Sequence, residues 1–131
     1  MIIRLRLTKA REDLLVAQEI LQSGHWRAAV NRAYYAVFHI ASAALLWHDT
    51  ERRKHSAVEA SFNQVLIKPG FVEREYSHIY KAAREWREDQ DYSDFARPLD
   101  QPTANQIVED AERFINRLER YLRELGAIAE I

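Results

Sequence analysis

The stretch W-R-A-A-V-N-R-A-Y-Y-A-V-F-H-I-A-S-A-A-L-L-W, residues 26–47, contains neither glycine nor proline. Its small side chains (Ala28, Ala29, Ala33, Ala36, Ala41, Ala43, Ala44) let neighbouring helices come close, because interaxial distance follows side-chain size at the contact. The segment therefore reads as the central, most buried helix of a bundle. Inside it, N-R-A-Y-Y-A-V-F-H (31–39) threads an amide, a cation, two phenols and an imidazole through a helix otherwise suited to burial.

The rest of the chain arranges itself around this helix. Upstream, Leu7, Ala10, Leu14, Ala17 and Leu21 recur at 3-4-3-4 spacing, one apolar stripe on a helix from about Leu5 to Ser23, with Gly24 as its stop. Downstream, H-D-T-E-R-R-K-H (48–55) reads as a charged loop. Ser56 and Glu59 match a capping box, opening a short helix that ends before Lys68-Pro69-Gly70. A fourth helix is expected from about Val72 to Gln90, followed by a loop over 91–102 with Pro98 and Pro102 as breakers. Thr103 and Gln106 match a second capping box. The last helix carries Ile107, Ala111, Phe114, Ile115, Leu118, Leu122 and Leu125 on one face and stops at Gly126.

These elements predict one all-α domain over residues 1–131, an up-and-down helical bundle of four main helices plus one short helix. Helix two is flanked by helices one, four and five. Only three glycines and three prolines occur, which argues against a turn-rich β architecture. The formal net charge of −1 disfavours non-specific duplex binding and leaves room for a local basic site. The chain has no cysteine, so disulfide, thiolate and zinc–thiolate chemistry are excluded, consistent with a cytoplasmic protein. The N-terminal M-I-I-R-L-R-L lacks a cleavable signal pattern, and no apolar run approaches the roughly 20 residues of a membrane span. The histidines (25, 39, 48, 55, 78) show no H-x-x-x-H or H-E-x-x-H spacing, and no Gly-rich phosphate loop exists. Neither a metal nor a cofactor is expected.

Three polar groups stand out. Arg32, Tyr35 and His39 follow i, i+3, i+7 and share one helix face, with Asn31 at its border and Tyr34 and Phe38 on the adjacent face. A guanidinium grips phosphate with a planar fork, and phenols or imidazole stack on a base or bond to ribose. The competing reading is a core in which each tyrosine buries its ring and the arginine pairs with an acid. Lys54 and His55 precede a helix start, a place that attracts anions; with Arg52 and Arg53 beside them, the competing reading is a solvated basic loop. Arg84, Arg87, Asp91 and Tyr92 close the fourth helix. An arginine with a nearby acid–base group is the minimum for metal-free RNA cleavage, offsetting charge on the phosphorane while a proton moves. The competing reading is a charged helix end in which Glu85, Glu88 and Asp89 supply partners.

Taken together, K-A-R-E-D-L (9–14), H-W-R-A-A-V-N-R-A-Y-Y-A-V-F-H (25–39), K-H-S-A-V (54–58) and R-E-D-Q-D-Y (87–92), in that order, resemble the HEPN superfamily and within it the small stand-alone HEPN proteins. The resemblance spans nearly the whole chain. It implies a helical bundle, often a homodimer, that binds RNA or nucleotide. It also implies the toxin-like member of a toxin–antitoxin pair with a nucleotidyltransferase-fold (MNT-like) partner. In the ribonuclease branch, metal-independent cleavage uses an arginine, a polar residue, several further residues and then a histidine. Here Arg87 and Glu88 fit, Asp91-Tyr92 stands where the histidine is expected, and no histidine follows. The resemblance thus implies Arg87, Asp91 and Tyr92 as catalytic groups, and Asn31, Arg32, Tyr35, His39, Lys54, His55 and Arg84 as substrate-binding groups. Three alternatives stay open at this point: a metal-independent endoribonuclease, a non-catalytic nucleotide-binding or protein-interaction module, and a purely structural helical dimer whose polar helix-two residues are satisfied in the core.

Overall fold

Alanines decide which helix lies at the centre. In a computed structural model of the chain, which describes residues 2–92 and 97–128 apart from the Tyr92 side chain, the helices are α1 (Ile2–Gln22), α2 (Trp26–Trp47), α3 (His55–Phe62), α4 (Glu75–Tyr92) and α5 (Gln101–Glu124). A π-helical turn, Asn63–Ile67, continues α3, and the described residues form no strand. Ala29, Ala33, Ala36, Ala41, Ala43 and Ala44 of α2 are wholly buried, and α2 packs against each of the other four helices. Val30, Val37, Ile40 and Leu45 fill the spaces between. Ala28, grouped with these residues from sequence, is exposed instead.

Gly24 turns α1 into α2 with a φ of +84°, a left-handed conformation that costs a glycine little. The short connection makes the two helices antiparallel neighbours. Arg11 of α1 reaches Glu119 of α5 with donors at 2.6 and 2.8 Å. Phe62, Tyr80 and Phe114, with centroids 5.3–5.8 Å apart, lock α3, α4 and α5 together.

Both capping boxes are corrected. Lys54 holds the N-cap of α3 with no side-chain cap hydrogen bond, so Ser56 already lies inside the first turn. Glu59 accepts from Arg84 Nε at 2.6 Å rather than returning to the helix start. Asp100 caps α5, accepting from the Thr103 N–H at 2.9 Å, while Gln106 donates to Asp110. Pro102 sits in the first turn of α5, where a missing N–H costs nothing, so it begins the helix it was expected to precede. Helix α4 starts three residues later than expected, because Val72 donates its N–H to the Leu66 carbonyl and belongs to the preceding turn. It also runs on through Asp91 and Tyr92, so those two residues are helical rather than loop. Residues 93–96 of the expected loop lie outside the described residues. Beyond them Arg97 folds back on α4, its guanidinium 3.8 Å over the Trp86 ring and its N–H on Asp89.

Candidate functional site

This packing sets the C-terminal turns of α4 and the first residue of α3 against one face of α2. Arg87, on α4, turns inward and is only 8% exposed. Its guanidinium carbon lies 4.3 Å over the ring of Tyr34 and 5.8 Å from that of Tyr35. A desolvated cation on an aromatic face is worth on the order of 2 kcal/mol. Tyr34 is wholly buried, and among the described residues its hydroxyl has no hydrogen-bond partner. Burial pushes the Tyr34 phenol up to about 12, with Arg87 opposing the shift.

His55 opens α3 from the other side. Its ring lies 4.3 Å from Phe38, 5.6 Å from Tyr35 and 5.7 Å from Tyr34. Burial, and then the charge of Arg87, hold its imidazole below the ordinary value of 6.5. The ring is therefore neutral at pH 7 and able to accept a proton. One turn beyond Arg87, Asp91 accepts from the Asn31 side-chain amide at 2.9 Å, and Arg27 Nε lies 3.8 Å from its other oxygen. An open groove of about 540 Å³ runs beside this pair, lined by Trp26, Arg27, Asn31 and Asp91 among others.

The structure thus brings Asn31, Tyr35, His55, Arg87 and Asp91 into one neighbourhood. Others of the expected set have further partners. Arg32 lines the same groove as Asn31 and Asp91 while donating to Asp13 of α1 at 2.8 Å. His39 faces α1 too, its Nδ1 3.1 Å from the Tyr35 carbonyl and 3.9 Å from Asp13. Arg84 ties α4 to α3 through Glu59 and pairs with Glu88 on its own helix. Lys54 is exposed at the helix start. Tyr92 ends α4, and its side chain lies outside the described residues. Along that face Tyr35 meets the His55 ring of α3 and the Arg87 guanidinium of α4, while Arg32 and His39 have Asp13 of α1 beside them.

Sequence reasoning passed over Tyr34, Phe38 and Arg27 as site residues. The signal was present: Arg27, Asn31, Tyr34 and Phe38 recur at 4-3-4 spacing, a stripe as regular as that of α1. Chemically, the site sets a permanent cation with planar donors and a neutral imidazole around a shared aromatic wall. Such a wall can grip a phosphate, stack a base and accept a proton. Among the described residues, no three His, Asp or Glu side chains gather as a metal site, and no helix is long and apolar enough to cross a membrane.

Comparison with known proteins converges on one family. The HEPN domain family model matches residues 3–121. A Methanocaldococcus jannaschii protein named "Putative toxin MJ0605" is 34% identical over 119 residues, covering 88% of this chain and 85% of that protein. A Thermotoga maritima UPF0332 protein is 33% identical over 117 residues, covering 89% of this chain and 88% of its own length. The crystal structure of TT1696 from Thermus thermophilus superposes with a TM-score of 0.77 over 92% of this chain and 98% of its own; at 20% identity it speaks to the fold alone.

Proposed function

This chain belongs to the HEPN domain family, and from that premise we propose that it is a toxin-like member that binds RNA phosphate at Arg87 and cleaves RNA without a metal ion. The observation that carries the reading is the Arg87 guanidinium, buried against Tyr34 and Tyr35 with the neutral ring of His55 across the same tyrosines. In the reaction, Arg87 holds the scissile phosphate and stabilises the charge that builds on its oxygens. His55 takes the proton of the 2′-hydroxyl. The 2′-oxygen–phosphorus bond forms, the bond to the 5′-oxygen breaks, and that oxygen leaves with a proton returned from the imidazolium or from water. The products are a 2′,3′-cyclic phosphate and a free 5′-hydroxyl. The reading extends to partners on the strength of the family resemblance: a homodimer, and a nucleotidyltransferase-fold protein that restrains it.

A second reading is favoured by one observation. Asp91, which stands where the ribonuclease branch places its histidine, has its carboxylate engaged by Asn31 and faced by Arg27. In that reading the same site binds RNA or nucleotide without turning it over. A labelled single-stranded RNA incubated with the full chain in EDTA separates the two. The first reading predicts cyclic-phosphate products, lost in Arg87→Ala and in His55→Gln while the His55 variant still binds. Binding without products selects the second, and an Arg87→Ala protein that folds, binds and cleaves like wild type removes both.

A further inference from the structure

A second basic cavity lies on the α1 side of the same aromatic wall. It has a volume of about 320 Å³ and is lined by Arg6 and Lys9 of α1, Phe38 and His39 of α2, and Arg52 and Arg53 of the loop before α3. Asp49 takes a φ of +53°, and the Thr50 N–H bonds the Leu45 carbonyl, so the loop doubles back and carries Arg52 and Arg53 over the helices. Arg6 is oriented by a 3.3 Å hydrogen bond to the Ser42 carbonyl and lies 3.6 Å from Glu51, the carboxylate of the rim. Among the described residues, no carboxylate lies within ion-pair distance of Lys9, Arg52 or Arg53. In a chain of formal net charge −1, this is a local concentration of cations.

The ring wall links the cavity to the first site. Phe38 lines the cavity and lies 4.3 Å from His55, while Tyr35 stands between Arg87 at 5.8 Å and His39 at 6.3 Å. Cations that track a backbone, set beside a ring on which a base can lie, are the usual means of holding single-stranded nucleic acid. We propose that the cavity formed by Arg6, Lys9, Arg52 and Arg53 is a second phosphate site, taking a nucleotide phosphate with Phe38 as the stacking ring. The proposal deepens the RNA reading and rests on it for the identity of the strand. The phosphate comes either from a neighbouring nucleotide of the strand bound at Arg87 or from a free mononucleotide.

The test uses the full chain, fluorescence anisotropy with a short labelled single-stranded RNA, and calorimetry with AMP. Arg52 and Arg53 are exposed, so the double variant R52A/R53A is expected to fold as wild type does. It should bind RNA at least about tenfold more weakly, with the salt slope reduced by about 1. Loss of AMP binding in the same variant identifies a free nucleotide as a ligand, whereas weakened RNA binding with no AMP binding in wild type identifies the strand. A double variant that binds RNA and AMP as wild type does overturns the site, and if Arg87→Ala alone loses binding, the Arg87 reading stands without it. The reverse pattern keeps this site and removes Arg87. Wild-type protein that binds neither probe overturns both.

Discussion

Two arginines are buried to the same degree, 8% exposed each, and their surroundings differ in kind. Arg117 on α5 is held by hydrogen bonds: its guanidinium donates to both carboxylate oxygens of Glu73 at 2.7 and 3.2 Å and to the Phe71 carbonyl at 3.1 Å. It clamps the turn before α4 onto the last helix. Arg87 on α4 lies over the rings of Tyr34 and Tyr35, beside the imidazole of His55. Equal burial therefore does not mean equal role. A carboxylate fork fixes a cation for structure, whereas a guanidinium set on aromatic rings beside an imidazole presents a permanent cation to the proposed phosphate site.

The largest difference should appear in activity. Arg87→Ala is expected to lower metal-free RNA cleavage by about 100-fold or more, the usual cost of removing one group that stabilises developing charge. Arg117→Ala should leave turnover per folded molecule unchanged. Product analysis on denaturing gels checks both, and equal losses in the two variants would erase the distinction.

Stability should respond to both arginines. Arg117→Ala removes charge-assisted hydrogen bonds from a buried site and should cost about 2 kcal/mol, a fall in Tm of several degrees by thermal denaturation. Arg87→Ala gives up the cation–π contacts with Tyr34 and Tyr35, on the order of 2 kcal/mol for a desolvated pair, and should lower Tm by a comparable amount.

Acid sharpens the contrast further. The hydrogen bond from Arg117 holds the Glu73 carboxyl below its ordinary value. Its contribution is present above the unfolded value near 4.5 and is lost as pH falls through the lower folded value. Glu73→Gln should therefore flatten the acid limb of the stability curve. At the other arginine the titrating partner is His55. Its depressed value makes the fold less stable as pH falls below 6.5, because the unfolded chain then binds more protons. In Arg87→Ala the His55 value should rise while staying below 6.5, since burial is the larger cause of its depression. Ring-proton NMR titration checks this, the smallest of the expected effects.

The bundle itself was readable because its signals are periodic. The stripe from Leu7 to Leu21, the alanines of α2 and the apolar face from Ile107 to Leu122 report burial directly. The helix ends were less so, because capping depends on local geometry: Asp100 outcompeted Thr103, and Lys54 capped α3 although Ser56 carries the better capping side chain. The site was legible as a set of segments, with Arg87, Asn31 and His55 all named from sequence. Which tyrosine meets the guanidinium was not, because adjacent residues on a helix point about 100° apart, and only the placement of α4 selects Tyr34 over Tyr35. The ion pairs of Arg32 and Arg84 were hidden in the sequence for a related reason. Their carboxylate partners, Asp13 and Glu59, lie far along the chain and become neighbours only when the helices pack.

The most direct measurement follows the side-chain Nε–H signals of Arg87 and Arg117 by NMR while a short single-stranded RNA is added in EDTA. The account predicts that the Arg87 signal shifts, together with the ring protons of His55, and that Arg117 stays in place. An unmoved Arg87 under saturating RNA would contradict it.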